Sequence, residues 1–271
     1  MDLMTLLPFF LILAAVGAVA GVIAGLLGVG GGMVLVPAFY YTFAALGHDG
    51  PQLMQLCVGT SLATILATST RSLRAHAARG AVDRDFLRGW APAIGIGAGA
   101  GALLASSLKS DTLTAVFAVL AALAGLWMLL GRKDLRLADH LPHGPRAWGM
   151  GGALGLASAV MGIGGGTFGV PLMTLHGMAI HRAVGTASGL GLIIAAPATL
   201  GFLFTQVENP PPLSIGAVNL PAFALVVAMT LLTTPLGVRL AHGMNPAPLK
   251  RAFALFLIAV AANMGRKALG W

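Results

Sequence analysis

Gly28-Val-Gly-Gly-Gly-Met-Val-Leu-Val-Pro37 decides the fold, because the same pattern returns as Gly162-Ile-Gly-Gly-Gly-Thr-Phe-Gly-Val-Pro171. Each copy separates two apolar segments, one of them only about 14 residues long and too short to cross a membrane unless it is tilted or paired. Glycines release the backbone from helical geometry, and the proline that ends each copy limits helix continuation. We therefore predict a broken or re-entrant helix at each glycine-rich stretch.

The repetition extends across both halves of the chain. The matching pairs are Gly59-Thr60-Ser61 with Gly185-Thr186-Ala187-Ser188, Gly80-Ala-Val-Asp83 with Gly216-Ala-Val-Asn219, and Gly101 and Phe117 with Gly237 and Phe253. A match of this extent indicates an internal duplication. We predict a first transmembrane repeat over 1–130, a basic linker over 131–146 and a second transmembrane repeat over 147–271.

Composition makes the chain an integral membrane protein. Of its 271 residues, 57% are hydrophobic and only 9% are charged, too few to cover a soluble fold of this size. Apolar segments fall near 4–27, 33–47, 56–70, 88–108 and 112–130, and again near 147–161, 167–180, 184–204, 218–241 and 250–268. These segments lack the alternation of a lipid-facing barrel strand, so we expect an all-α fold.

The distribution of charge predicts the topology. The net charge is +8, yet no Lys or Arg occurs before Arg71, and basic residues then concentrate in 71–87 and 131–146. Both clusters adjoin membrane spans, which favours a cytoplasmic location over a nucleic-acid site. The loop 205–217 has no Lys or Arg and reads as external. The halves then begin on opposite sides, which predicts two inverted repeats of about four transmembrane helices each. The pair Arg266-Lys267 falls on the unexpected side.

The glycine-rich stretches are also candidate anion sites. Amides at the start of the following half-helix carry partial positive charge, so an anion needs no buried Lys or Arg there. Hydroxyl groups nearby could donate further hydrogen bonds or, alternatively, cap their own helices. The candidate substrate-binding residues are Gly30, Gly31, Gly32, Thr60, Ser61, Gly164, Gly165, Gly166, Thr167, Thr186 and Ser188. For Gly95, Gly97, Gly99 and Gly101, by contrast, spacing predicts helix packing.

Few ionisable residues border the apolar segments. His176, His181 and Arg182 are therefore candidates for a proton or anion relay, with solvated positions between helices as the alternative. A serine paired with His176 lacks an orienting acid, and no metal-ligand spacing or cofactor motif is found. We therefore expect a protein that is not an enzyme and has no cofactor.

The paired glycine motifs, each followed by Gly-Thr-Ser or Gly-Thr-Ala-Ser, resemble those of the TauE/SafE family of sulfite and organosulfonate exporters. This resemblance covers nearly the whole chain. It implies a multi-pass transporter of the bacterial inner membrane that moves a small sulfur oxyanion, with export favoured. A potential that is negative inside drives anion efflux by about 2.3 kcal/mol per charge per 100 mV.

Two other functions remain open at this point. In a non-transporting scaffold or assembly factor, the glycines serve helix packing and the arginines bind a partner or anionic lipid. An anion channel is the other. The expected partners are a sulfur oxyanion and membrane lipid, without nucleic acid, and a homo-oligomer is left open.

Overall fold

The computed structural model describes residues 3–27, 31–130, 136–243 and 246–270. Within these ranges the helices are α1 (Leu3–Leu27), α2 (Gly32–Ala45), α3 (Leu53–Ala78), α4 (Arg84–Ser107), α5 (Ser110–Leu130), α6 (Pro145–Val160), α7 (Gly166–Leu175), α8 (Ile180–Leu203), α9 (Leu220–Gly243) and α10 (Pro246–Ala268). A two-residue hairpin, β1 (Ser214–Ile215) with β2 (Val218–Asn219), precedes α9.

The predicted all-α membrane protein is confirmed. Each apolar segment of the sequence corresponds to one of these helices. Five described helices are long and apolar enough to cross a membrane, namely α3, α4, α5, α8 and residues Leu220–Gly237 of α9. The two helices that follow the glycine stretches, α2 and α7, have 14 and 10 residues and are too short to cross.

Two helix ends differ most from the sequence expectation, and glycine explains where both helices end. Helix α3 continues through Arg71 and Arg74 to Ala78, so these arginines lie on a helix instead of in a loop. It ends where Gly80 adopts a φ of +67°. Helix α7 ends at Leu175, earlier than expected, because Gly177 adopts a φ of +85°. Left-handed glycines of this kind terminate helices after their last turn.

Hydrogen bonds between loops define the two ends of the bundle. At one end, which we call the Gln52 end, the side-chain oxygen of Gln52 accepts from the backbone N–H of Glu208 at 3.0 Å. The backbone N–H of Met54 donates to the hydroxyl of Ser110 at the same end. At the other end, which we call the basic end, the backbone N–H of Leu137 donates to the carbonyl of Leu175. The loops 79–83, 136–144 and 176–179 lie at the basic end.

The two halves are interleaved. Helix α1 packs along α9 and α4 packs along α6, so the first helix of each half lies against the fourth helix of the other. The third helices, α3 and α8, pack on each other, and so do the fifth helices, α5 and α10. Every residue from Leu53 to Ile65 of α3 is buried. The core therefore lies around α3, where both halves contribute side chains.

The packing role predicted for four glycines of α4 is confirmed at Gly97 and Gly101 and wrong at Gly99, and a Cβ on Gly95 would make an ordinary contact, 3.9 Å from Ile193. A Cβ on Gly97 would meet the carbonyl of Gly152 in α6, and one on Gly101 would lie 2.6 Å from the carbonyl oxygen of Leu156. A Cβ on Gly99, by contrast, would have nothing within 4 Å. Close approach of α4 to α6 therefore depends on Gly97 and Gly101.

Candidate functional site

The two glycine-rich stretches meet in the core. A Cβ on Gly32 would lie 2.9 Å from both the carbonyl oxygen of Gly162 and the Cα of Ile163. Gly32, Gly162 and Ile163 are all buried. Gly30, another predicted site residue, lies outside the described residues, and Gly31 is the N-cap of α2. The backbones of the two stretches therefore touch where only glycine fits.

Helix α3 forms a hydrogen bond to the backbone at this meeting point. The hydroxyl of Ser61 donates to the carbonyl of Gly162 at 2.7 Å, and both groups are buried. Gly162 has a φ of +66°, and a Cβ there would lie 2.8 Å from Cγ2 of Val36 and 3.0 Å from Cα of Val58. Ser61 is thus the predicted hydroxyl residue that bonds directly to a glycine stretch.

Two half-helices begin at this point without a side-chain cap. The N-caps are Gly31 for α2 and Gly165 for α7, and no side chain accepts a hydrogen bond from the first turn of either helix. Gly165 and Gly166 are buried, as is Gly164, which packs near Ile65. The first amides of a helix have no partner within the helix and carry its positive end. The arrangement therefore directs two positive helix ends into the core.

Thr167, in the first turn of α7, carries a free hydroxyl. The residue is 8% exposed, and its Oγ1 atom is buried without a hydrogen-bond partner. Thr167 also lines a cleft of about 290 Å³ between α5 and α7. The other lining residues are all apolar: Leu123, Ala124, Trp127, Met128, Phe168, Pro171, Leu172 and Leu175. Native structures rarely leave a buried hydroxyl unpaired, so Thr167 is a strong candidate for a ligand contact.

Thr60 and Thr186 have other partners, which we call the crossed threonine contacts. The hydroxyl of Thr60 accepts from the backbone N–H of Asn219 at 3.0 Å. The hydroxyl of Thr186 accepts from the backbone N–H of Asp83 at 2.8 Å. Each threonine therefore binds the residue that precedes a helix in the opposite half and does not cap its own helix. The two contacts lie toward opposite ends of the bundle, so they do not converge on one site.

Valine at Thr60 or Thr186 is expected to destabilise the protein by about 1–3 kcal/mol, because a backbone N–H then loses its acceptor. Thermal unfolding of the purified protein in detergent measures this effect. The matched control is Thr64→Val, since the hydroxyl of buried Thr64 bonds only to the carbonyl of Thr60 in its own helix. A Thr64→Val protein as unstable as the other two would contradict the role of the crossed contacts.

The remaining predicted residues lie near the basic end. Ser188 donates to the carbonyl of Gly185 in its own helix at 2.6 Å. His176 follows α7, with Nδ1 2.8 Å from the carbonyl oxygen of Leu172. His181 is exposed. Arg182 is also exposed, and its guanidinium lies 3.1 Å from the carboxylate of Asp83. The structure thus gives His181 and Arg182 solvated positions and leaves the relay a prediction.

Asp83 is the site residue that sequence reasoning missed. It N-caps α4, donates its N–H to Thr186 and pairs with Arg182. The signal was present, because Gly80-Ala-Val-Asp83 repeats as Gly216-Ala-Val-Asn219 beside repeated Gly-Thr dipeptides. Nothing in the sequence alone shows that these two repeated motifs touch each other.

Comparison with known proteins agrees with this architecture. A family model described as sulfite exporter TauE/SafE matches residues 13–264. A probable membrane transporter protein of Haemophilus influenzae is 35% identical over 94% of this chain and 98% of its own length. One of Methanocaldococcus jannaschii is 24% identical, covering 92% of this chain and 91% of its own. A third, the probable membrane transporter protein YunE of Bacillus subtilis, is 30% identical over 61% of this chain and 67% of its own length. No solved structure matches the chain.

Proposed function

The chain belongs to the sulfite exporter TauE/SafE family, and on that premise we propose that it is a secondary transporter of a small sulfur oxyanion. One observation carries the proposal. Two uncapped half-helices begin at or just after the contact between the glycine stretches, and the buried, unpartnered hydroxyl of Thr167 lies in the first turn of one of them, α7. Among the predicted hydroxyls Thr167 is the one without a protein partner, and outside that set the buried hydroxyls of Ser158 and Thr199 also lack one.

The chemistry of an oxyanion fits these donors. A sulfite or sulfonate group offers acceptor oxygens, which backbone amides and a hydroxyl can hold without a buried cation. The amides of Gly166 and Thr167 belong to the first turn of α7, where the helix dipole favours negative charge. A site of this kind binds the anion without fixing it by full charge neutralisation, which suits a transporter that must also release it.

The cleft beside Thr167 supports an organic sulfonate over bare sulfite. The cleft, of about 290 Å³, is larger than an inorganic oxyanion needs, and it is open on the side where Leu123 and Trp127 are exposed. Its wall is apolar apart from Thr167. We place the sulfonate group at Thr167 and the organic group against Trp127 and Phe168.

The packing of the helices supports two inverted repeats. Partners are exchanged between halves, with α1 on α9 and α6 on α4, as two related units facing opposite ways would give. Helix α2 runs from the core to the Gln52 end, whereas α7 runs from the core to the basic end. Access to the site would alternate by one repeat rocking against the other.

The arginines support an inner-membrane protein whose basic end is cytoplasmic. Exposed arginines concentrate at or near this end: Arg71, Arg74, Arg79, Arg84, Arg88, Arg136, Arg146 and Arg182. The Gln52 end has Lys109, Arg266 and Lys267, and Lys267 lies 4.8 Å from the ring centroid of Tyr41. The positive-inside rule then makes outward flux the direction favoured by the membrane potential.

Thr167→Val is expected to lower saturable flux by about tenfold or more, because a hydrogen bond to a charged group contributes about 1.5–3 kcal/mol. Flux of radiolabelled benzenesulfonate and sulfite is measured in proteoliposomes, with and without an imposed potential. The control is Thr174→Val in the same helix, whose hydroxyl bonds to the carbonyls of Val170 and Pro171.

Three outcomes of this experiment would count against the proposal. Equal flux in the two variants would remove Thr167 from the site. Absence of flux of either anion in the folded wild-type protein would favour the scaffold. Flux that does not saturate would favour a channel. Benzenesulfonate carried no better than sulfite would leave the transporter standing and contradict the assignment of the cleft to an organic group.

A further inference from the structure

Asp83 makes three contacts at the basic end of the bundle. Its backbone N–H donates to Thr186 at 2.8 Å, and its Oδ1 accepts from the backbone N–H of Phe86 at 2.9 Å. Its second carboxylate oxygen, Oδ2, lies 3.1 Å from Nη2 of Arg182. The first two bonds fix the residue, so the carboxylate presents one oxygen toward the opposite half.

The equivalent residue of the second half, Asn219, makes the same fold contacts without a charge. Its N–H donates to Thr60, and its Oδ1 accepts from the N–H of Ala222 at 3.0 Å. Its amide nitrogen donates within its own loop, to the carbonyl of Pro212 and the hydroxyl of Ser214. Leu56 stands four residues before Thr60, where Arg182 stands four residues before Thr186. The duplication therefore carries an ion pair at one end only.

Resting on the proposed function, we propose that Asp83 is an internal anion that keeps the basic end closed by holding Arg182, and that an incoming oxyanion opens this end by displacing it. A guanidinium binds sulfonate and carboxylate oxygens with the same fork of N–H donors. Arg182 has 58% of its side chain exposed, against 18% for Asp83. An anion from solvent therefore reaches the arginine first.

The strengths of the contacts suit such an exchange. An exposed ion pair contributes little net stability, so replacing one anion by another at Arg182 is nearly neutral in free energy. The bond from Phe86 to Asp83 lies within the start of α4 and stays in place, whereas the bond from Asp83 to Thr186 joins the two halves and breaks when this end opens. The exposed arginines around the basic end raise the local anion concentration. By displacing Asp83 from Arg182, the substrate can thus weaken the contact between the halves at this end.

The test uses a cysteine that reports opening without requiring transport. Cys57, the single native cysteine, is buried and is replaced by alanine. Ala183, fully buried beside Arg182, is replaced by cysteine, and its labelling by a charged, membrane-impermeant maleimide is timed in proteoliposomes. Asp83→Asn keeps the helix cap, since asparagine caps as well as aspartate. Asp85→Asn is the matched control, because this substitution removes the same charge from an exposed residue two positions away.

Labelling is expected to be about three- to fivefold faster in Asp83→Asn than in the parent or Asp85→Asn, the effect of losing one partially exposed ion pair. Benzenesulfonate, at ionic strength held constant with sodium chloride, should accelerate labelling of the parent and of Asp85→Asn but not of Asp83→Asn. Arg182→Gln should behave like Asp83→Asn, which guards against a folding defect peculiar to one variant.

Equal labelling rates in the parent, Asp83→Asn and Asp85→Asn would overturn the inference, and so would an anion effect that survives in Asp83→Asn. Flux decides the proposed function separately. A protein that carries no anion but shows labelling controlled by Asp83 and benzenesulfonate would refute transport and retain the closing contact. A protein that transports the anion but whose labelling does not depend on Asp83 or benzenesulfonate would retain the proposed function and refute the closing contact.

Discussion

Alanine at Gly59 or Gly185 is expected to destabilise the protein by about 3 kcal/mol or more, because overpacking and the loss of a buried hydrogen bond act together. A Cβ on Gly59 would meet the carbonyl oxygen of Ala217, and one on Gly185 would meet that of Ala81. Both oxygens belong to backbone that the crossed threonine contacts hold in place. Since no side chain can rotate away, the loops themselves must move, and the midpoint of thermal unfolding in detergent will show it.

Gly99→Ala and Gly89→Ala are the controls for this prediction. Both glycines lie in α4, and a Cβ on either would have nothing within 4 Å. Alanine there is expected to be neutral or to stabilise by up to about 1 kcal/mol through helix propensity. If Gly59→Ala and Gly185→Ala matched these controls, close approach of the two halves would not depend on the glycines.

Alanine at Gly162 is expected to have the second large effect, about 2–5 kcal/mol, because backbone strain adds to overpacking. Its φ of +66° favours glycine, and a Cβ would lie 2.8 Å from Val36 and 3.0 Å from Val58. The carbonyl that accepts from Ser61 would have to move with it. Because the glycine stretches touch here, we also expect transport to be lost in the protein that still folds.

Gly47→Ala and Gly80→Ala separate the two causes. Each has a positive φ, of +80° and +67°, but a Cβ on either would have nothing within 4 Å. They should show the backbone strain alone, about 1–2 kcal/mol. The difference in unfolding midpoint between Gly162→Ala and these controls measures the packing contribution. No difference would mean that the meeting point of the stretches is loosely packed.

Much of this architecture could be predicted from the sequence, because membrane helices leave a long apolar signal and duplication leaves a repeated one. The apolar segments anticipated α1 to α10 to within a few residues, except where charge obscured a helix. Arg71 and Arg74 look like a loop, yet long side chains on a helix can extend toward water while their stems stay in contact with apolar surface. The glycine stretches predicted breaks between helices, and the short helices α2 and α7 begin after them, while the role of the stretches in binding stays a prediction.

The partners of the hydroxyl groups could not be predicted in the same way. Thr60 and Thr186 occupy positions typical of substrate contacts, but their acceptor atoms serve backbone N–H groups of the opposite half. The residue type shows only which hydrogen bonds a side chain can make. The packing of α3 on α8 decides which donor or acceptor group lies close enough to be its partner. Thr167 was grouped with them on residue type, and it differs in having no protein partner.

The crossed threonine contacts also constrain the order in which the protein can be assembled. Asp83 leaves the ribosome 103 residues before Thr186, and Thr60 leaves it 159 residues before Asn219. When the first half enters the bilayer, the N–H of Asp83 therefore lacks its acceptor and the hydroxyl of Thr60 lacks its donor. Both contacts can form only after the second half has been made. Halves produced as two separate polypeptides would carry the complementary groups needed to join. A chain interrupted after the linker would give the membrane insertion machinery a helix bundle in which neither crossed threonine contact can form.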